Sequence, residues 1–245
     1  MTTKAVIFDC DGVVMDSEPI SFALLSDQMA LYGRPTSHAD LRAMFLGGTM
    51  RSLWTQARAL GVLLPDDWVE AQYGRMFAKL AEGTPLVPGI LAVLDALDAV
   101  GLPYAVGSNG PLRKMQIMFD HHPGLWQRFA GGIHSAQSQG APKPAPDVYL
   151  HAARALGEAP ADCVVIEDSA AGLRAAQAAG MQSFGFAATD DGAGLAAEGA
   201  TVFHRMSDLP GLLGIAGRVK ATSEKCEAVF GQKSRKGKDL KRDDP

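Results

Sequence analysis

Five short, largely apolar runs recur along this chain: Ala5 to Phe8, Tyr104 to Gly107, Gly132 to His134, Cys163 to Ile166 and Ser183 to Phe186. Each is short enough to be a buried strand. Helix-like stretches separate or border them, at about 88–100, 111–121, 145–156 and 169–179. Strands alternating with helices imply crossover connections, which lay helices over both faces of a parallel sheet. The expected fold class is α/β, a Rossmann-like parallel sheet core with helices on both faces. Leu91, Leu94, Leu97 and Val100 give the three-residue apolar spacing of a helix face, and Gly101 reads as its C-cap.

The interval from 17 to 86 breaks the alternation. Phe22, Leu25 and Met29 recur at helical spacing, as do Leu53, Ala57 and Leu60, and again Val69, Tyr73, Met76 and Leu80. This predicts an all-helical insert, with the turn-rich segment from Gly83 to Gly89 as its return hinge. The expected division is a core of 1–16 and 87–217, a helical insert of 17–86, and a flexible basic tail of 218–245. At 245 residues and 47% apolar, the chain can bury one large core with such an insert.

Charge and cysteine usage narrow the partners. Net charge is −4, yet residues 218–245 hold nine Lys/Arg against five Asp/Glu, so the body is the more acidic part. An acidic body argues against nucleic-acid binding. Three cysteines with no CxxC suit a reducing cytoplasm and argue against disulfides or a zinc site. No apolar stretch approaches a membrane span, and the first strand leaves no room for a signal peptide.

The polar residues beside the strands carry the chemistry. Asp9 and Asp11 follow the first run, and Gly12 lets the backbone turn just after them. Two acids this close repel unless a cation or a shared proton compensates, which suggests Mg²⁺, a carboxylate nucleophile, or both. A capping and turn pair is the plainer alternative for this motif alone. Ser108, Asn109 and Gly110 follow the second run and can cradle phosphate oxygens, or simply cap a helix. Lys143 lies in Pro142-Lys143-Pro144-Ala145-Pro146-Asp147, where prolines hold the ammonium in place. Glu167, Asp168 and Ser169 close the fourth run, adding oxygen ligands for a hard cation or a helix start. All of these lie at the C-terminal ends of predicted parallel strands or in the loops beyond, so they converge on one crevice.

Taken in order, Asp9-Cys10-Asp11-Gly12-Val13, Ser108, Lys143-Pro144-Ala145-Pro146-Asp147 and Glu167-Asp168-Ser169 resemble the haloacid dehalogenase (HAD) superfamily of phosphatases over about residues 4–215. The run from Asp9 to Glu18 resembles its branch with a helical cap between the first and second motifs. That branch includes phosphoglycolate phosphatases, sugar-phosphate phosphatases and β-phosphoglucomutase. Ser108-Asn109-Gly110-Pro111 followed by Lys114-Met115-Gln116 is closer to bacterial 6-phosphogluconate-type phosphatases.

The resemblance implies roles. Asp9 would take the phosphoryl group as an aspartyl-phosphate, and Asp11 would protonate the leaving alkoxide and then activate water. Ser108 with the N–H groups of Asn109 and Gly110 would bind the phosphoryl, and Lys143 would orient Asp9. Mg²⁺ would be held by Asp9, the Asp11 carbonyl and Asp168, with Glu167 helping directly or through water. Asp11 favours phosphoryl transfer over dehalogenation. The cap would set specificity through Glu18 and the loop with Gly47, Thr49 and Arg51, where Arg51 could bind a second anionic group. Lys79, on another cap helix, is expected to face solvent.

A Mg²⁺-dependent phosphatase for a small phosphorylated metabolite is the leading expectation, as a cytoplasmic monomer with neither nucleic acid nor membrane as partner. A β-phosphoglucomutase-type mutase is the alternative. A non-catalytic binding protein is the remote one, since such proteins would be expected to lose the nucleophile, the acid/base group or the lysine.

Overall fold

The computed structural model describes residues 3–129, 132–219 and 221. The basic-tail reading of 218–245 therefore falls almost wholly outside the described residues. In chain order the elements are β1 (Ala5–Phe8), α1 (Glu18–Leu31), α2 (His38–Phe45), α3 (Met50–Ala59), α4 (Trp68–Leu80), α5 (Ile90–Ala99), β2 (Tyr104–Ser108), α6 (Leu112–Phe119), α7 (Leu125–Arg128) and β3 (Ile133–Ser135). Then follow α8 (Ala136–Gln139), α9 (Asp147–Leu156), β4 (Cys163–Glu167), α10 (Ala170–Ala178), β5 (Gln182–Phe186), α11 (Ala193–Ala197), β6 (Thr201–Phe203) and α12 (Leu209–Leu212).

The six strands form one parallel sheet in the order β3-β2-β1-β4-β5-β6. β1 lies at the centre, with Ile7 opposite Ala105 on one side and Val165 on the other. Its four residues are fully buried, as both faces of a central strand are covered. Alternation still divides them. Ala5 and Ile7, with Ala105, Cys163 and Val165, pack on Val148, Tyr149, Ala152 and Ala153 of α9 and on Ala175 and Ala176 of α10. Val6 and Phe8 face the other way, into a larger core with Val93, Leu94 and Leu97 of α5 and Met115 and Met118 of α6. Small residues dominate the first layer, so α9 and α10 approach the sheet closely.

Residues between β1 and β2 form α1 to α5 and no strand, only isolated bridges at Met15. The two links from the sheet to helices α1–α4 run side by side: Asp16 N–H donates to the Pro85 carbonyl (2.9 Å) and Val87 N–H to the Val14 carbonyl (3.0 Å). The larger core continues through Val13, Val14 and Met15 into Phe22, Leu25, Leu53 and Trp68 of these helices.

Three expectations shift. β6 was not foreseen: its residues run from exposed through half-buried to buried, so no apolar run marks this edge strand. Leu91 is 47% exposed, and the buried stripe of α5 is Ile90, Val93, Leu94 and Leu97. A strict spacing of three falls behind the helical turn by about 60° per step, so it cannot stay on one face. Leu60 is likewise 49% exposed, just past the end of α3. Among the described residues no helix is long and apolar enough to cross a membrane.

Candidate active site

The C-terminal ends of β1, β2 and β4 open onto one cleft, where the order of strands reverses about β1. Asp9 N–H donates to the Ile166 carbonyl (2.9 Å), carrying the β1–β4 pairing one residue past the strand. Gly12 then turns the chain at φ +75°, and a Cβ there would collide with the Asp168 carboxylate. Cys10 between the two acids is fully buried in the apolar core.

Lys143 is the centre of the buried charge network. Its Nζ donates to Asp9 Oδ1 (2.5 Å), Glu167 Oε1 (2.8 Å) and the Gly107 carbonyl (2.8 Å). All three ammonium donors are thereby used, and the Tyr149 ring lies 4.6 Å away. Burial works against the lysine's charge, but Asp9 and Glu167 outweigh it and raise its pKa.

Glu167 is saturated. Lys143 and Tyr149 OH (2.7 Å) donate to Oε1. The Asp168 and Ser169 N–H groups and the Ser169 hydroxyl donate to Oε2, at 2.8–3.0 Å. Five donors fill the lone pairs of one carboxylate. The expectation that Glu167 ligates a metal directly thus has no free lone pair to rest on; its partners make it the anchor of Lys143 and of the start of α10. Gly172 lies against this carboxylate, and an added Cβ would overlap Oε1. Gly172→Ala is expected to displace Glu167, uncouple Lys143 and lower stability by about 3 kcal/mol, the scale for breaking a buried ion pair. The denaturant midpoint of the purified variant checks this.

Asp11 stands in a separate environment. Its Oδ1 accepts from Lys114 Nζ (2.6 Å) and from the Ser17 hydroxyl. Burial raises its pKa, but Lys114 and Ser17 together hold it below the ordinary carboxylate range. Asp9 differs: burial, aided by Glu167 and Asp11, overcomes Lys143 and lifts it to about 7. Asp168 is pushed up well beyond a normal carboxyl by burial and by Glu18, Glu167 and Asp9.

Asp9, Glu167 and Asp168 each present an oxygen within 4.8 Å of the others, all buried. Asp168's carboxylate accepts no hydrogen bond from any described residue, nor does Asp9 Oδ2. A buried carboxylate without donors among like charges is costly unless a cation compensates. Hard oxygen donors with free lone pairs fit a hard divalent cation.

The remaining predicted residues divide. Ser108 is buried, and its Oγ accepts from Gly110 N–H (2.9 Å). The Asn109 side chain ties loops together: Nδ2 donates to the Gly47 carbonyl (2.9 Å), and Oδ1 accepts from Lys143 N–H (2.8 Å). Glu18 lines the cleft and accepts from Arg42 (2.9 Å). Thr49 also lines it, with its hydroxyl accepting from Ser52 N–H (3.1 Å) as the cap of α3. Arg51 does not line it: it is exposed, its guanidinium 5.0 Å from the Trp54 ring, in shallow depressions that share Thr49 and Tyr73 with the cleft. Lys79 is exposed and paired with Glu82 (2.5 Å). Phe22, Phe45, Met50, Tyr73 and Met76 supply an apolar wall from the helices between β1 and β2.

Sequence reasoning gave no role to Lys114, Tyr149 or Arg42. Lys114 had a signal. It shares a helix stripe with the buried Ile117 and Met118, and a lysine on an apolar face needs a partner. Arg42 had none, since its partners Glu18, Thr189 and Asp190 come from distant parts of the chain.

The sequence model of the haloacid dehalogenase-like hydrolases matches residues 3–180. Hexitol phosphatase B of Escherichia coli (strain K12) is 33% identical over 185 residues, covering 73% of this chain and 81% of that protein. The 6-phosphogluconate phosphatase of the same organism is 29% identical over 214 residues, 85% of this chain and 94% of that protein. A conserved haloacid dehalogenase-like protein from Agrobacterium tumefaciens superposes with a TM-score of 0.76 at 31% identity, covering 86% of this chain and 98% of that one.

Proposed function

This chain belongs to the haloacid dehalogenase-like hydrolase family, and we propose that it is a phosphomonoesterase that hydrolyses a small phosphorylated metabolite through an aspartyl-phosphate on Asp9. The observation that carries this is the separation of two neighbouring carboxylates. Asp9 is held by Lys143, while Asp11 is held by Lys114 and Ser17. Different partners for two acids two residues apart equip them for different tasks.

Asp9 Oδ2 has no hydrogen-bond donor among the described residues, so its lone pair is available to attack phosphorus, while Lys143 fixes the other oxygen and the direction of approach. The Ser108 hydroxyl, oriented by the Gly110 N–H that donates to its oxygen, and the Asn109 N–H receive the oxygens of the transferring group. As the new Asp9–phosphorus bond forms, the ester bond breaks and Asp11 delivers a proton to the leaving oxygen, releasing an alcohol. The proton enters with the monoester, whose second ionisation lies near pH 6. Asp11, now a carboxylate, takes a proton from water; the resulting hydroxide attacks phosphorus, the Asp9–phosphorus bond breaks to restore Asp9, and Asp11 passes its proton to the departing orthophosphate. Asp9, Asp168 and the Asp11 backbone carbonyl would hold Mg²⁺, which supplies charge neutralisation between an anionic nucleophile and an anionic substrate. Residues 17–86 act as the cap, their apolar wall excluding bulk water.

A hydrolase is favoured over a mutase by the position of Arg51. Among the described residues lining the cleft, the only cations are Lys114 and Lys143, each already bound to an aspartate. A mutase must grip a second phosphate while the first is transferred, and no such clamp lines this cleft. The similarity to a hexitol phosphatase and a 6-phosphogluconate phosphatase supports sugar or polyol phosphates as the substrate class.

The test is orthophosphate release from a panel of hexose and hexitol phosphates, phosphosugar acids, phosphoglycolate and nucleotides. Release with Mg²⁺ that stops in EDTA is expected. Absence of release from every member, with isomerisation of β-glucose 1-phosphate when a bisphosphate is added, would replace the hydrolase with the mutase.

A further inference from the structure

Lys114 is a buried ammonium that the steps above do not require. Its side chain is 10% exposed, and its only hydrogen-bonded partner among the described residues is Asp11 Oδ1. It sits on α6 beside Ile117 and Met118, where an apolar side chain would be less costly to bury. Lys143 already serves Asp9, so Lys114 adds nothing to the nucleophile.

The geometry on Asp11 gives the lysine a task. Lys114 Nζ and the Ser17 hydroxyl both bond Oδ1, and no described residue donates to Oδ2. Oδ2 faces the loop after β2: a Cβ built on Gly110 would lie 3.8 Å from it and 3.3 Å from Ser108 Oγ. Two donors on one oxygen lock the carboxyl rotation and leave the other oxygen open toward the loop that receives the phosphoryl group. The anchors come from different elements, Ser17 just before α1 and Lys114 from α6.

Building on the phosphatase reading, we propose that Lys114 is a positioning residue. By pinning Oδ1 it aims Oδ2 of Asp11 at the ester oxygen, and so it sets how strongly the rate depends on the leaving group. The consequence is specific. An alkoxide leaves only with a proton, whereas a nitrophenolate leaves without one. A mispositioned Asp11 therefore slows the first class far more than the second. The ratio of kcat/KM between them isolates the effect, because kcat/KM covers steps up to release of the first product and not hydrolysis of the aspartyl-phosphate.

The experiment compares Lys114→Met with the natural protein on p-nitrophenyl phosphate and on the best alkyl phosphate of the panel, both with Mg²⁺. The expected loss in kcat/KM on the alkyl ester is about 10²-fold, the range for misplacing a general acid, with the alkyl-to-aryl ratio falling at least about tenfold. Ser17→Ala, which removes the second anchor and leaves α6 untouched, is expected to move the ratio in the same direction and covers a folding failure of the lysine variant. Equal losses on both esters in the folded variants would overturn the proposal, since a defect of packing or phosphate binding does not discriminate leaving groups. Failure of the natural protein to cleave either ester would instead overturn the phosphatase reading beneath it.

Discussion

Asp9→Asn is expected to abolish phosphate release, with a fall in kcat of about 10⁴-fold or more, the scale for removing a nucleophile. The substitution is nearly isosteric. Asn keeps an acceptor for Lys143 and preserves the tie between β1 and the Lys143 loop. It removes the anionic lone pair that would attack phosphorus. The variant should remain folded, because relieving Asp9 of its charge also removes its repulsion with Glu167 and Asp11. Single-turnover assays beside a melting curve check both halves. Appreciable turnover by a well-folded Asp9→Asn protein would assign the nucleophile elsewhere.

Asp168→Asn is expected to invert the response of stability to Mg²⁺. Without metal, Asp168 is a buried carboxylate with no hydrogen-bond donor among the described residues, in the field of Glu18, Glu167 and Asp9. Neutralising it removes that repulsion, so the metal-free variant should melt above the metal-free natural protein. With Mg²⁺ the order reverses. A cation bound only by the folded form at one hundred times its dissociation constant adds about 2.7 kcal/mol, and a variant lacking a ligand forfeits most of it. Phosphatase activity should need at least about tenfold more Mg²⁺. Melting curves with and without Mg²⁺ read the inversion directly, without any assumption about substrate. An identical Mg²⁺ shift in both proteins would remove Asp168 from the metal site.

These two variants separate the roles that the carboxylate cluster combines. Asp9 and Asp168 both border the proposed cation, yet only Asp9 is bonded to Lys143. Loss of turnover with a retained Mg²⁺ shift belongs to a nucleophile, while loss of the shift belongs to a ligand. The destabilisation that Asp168 imposes on the metal-free protein is the usual accompaniment of a functional site.

Much of the fold was legible in the chain because strands β1, β2 and β4 are short, apolar and central. Burial on both faces demands such composition, and the periodicity is local. The polar residues at their ends stood out for the same reason: Asp9, Ser108 and Glu167 mark abrupt changes from an apolar run. The edge strand β6 escaped because its residues are only progressively buried. Leu91 and Leu60 were placed on buried faces by spacing, but a repeat of three drifts off one helix face and Leu60 lies just past the end of α3, so both are exposed.

Residue type at a strand end was thus settled by the sequence itself. Which way a side chain points, and whether its lone pairs are free, was settled only by tertiary structure. Glu167 reads as a ligand in the chain, but in the folded protein five donors from Lys143, Tyr149, Asp168 and Ser169 fill its oxygens. Arg51 follows a promising glycine loop, yet the orientation of α3 lays it on Trp54. Lys114 lies 103 residues from Asp11, and only the packing of α6 beside the sheet brings them together. Local sequence dictates backbone periodicity and the chemistry available at each position. Contacts between distant residues depend on the angles at which whole elements pack, and no short stretch of sequence encodes those angles.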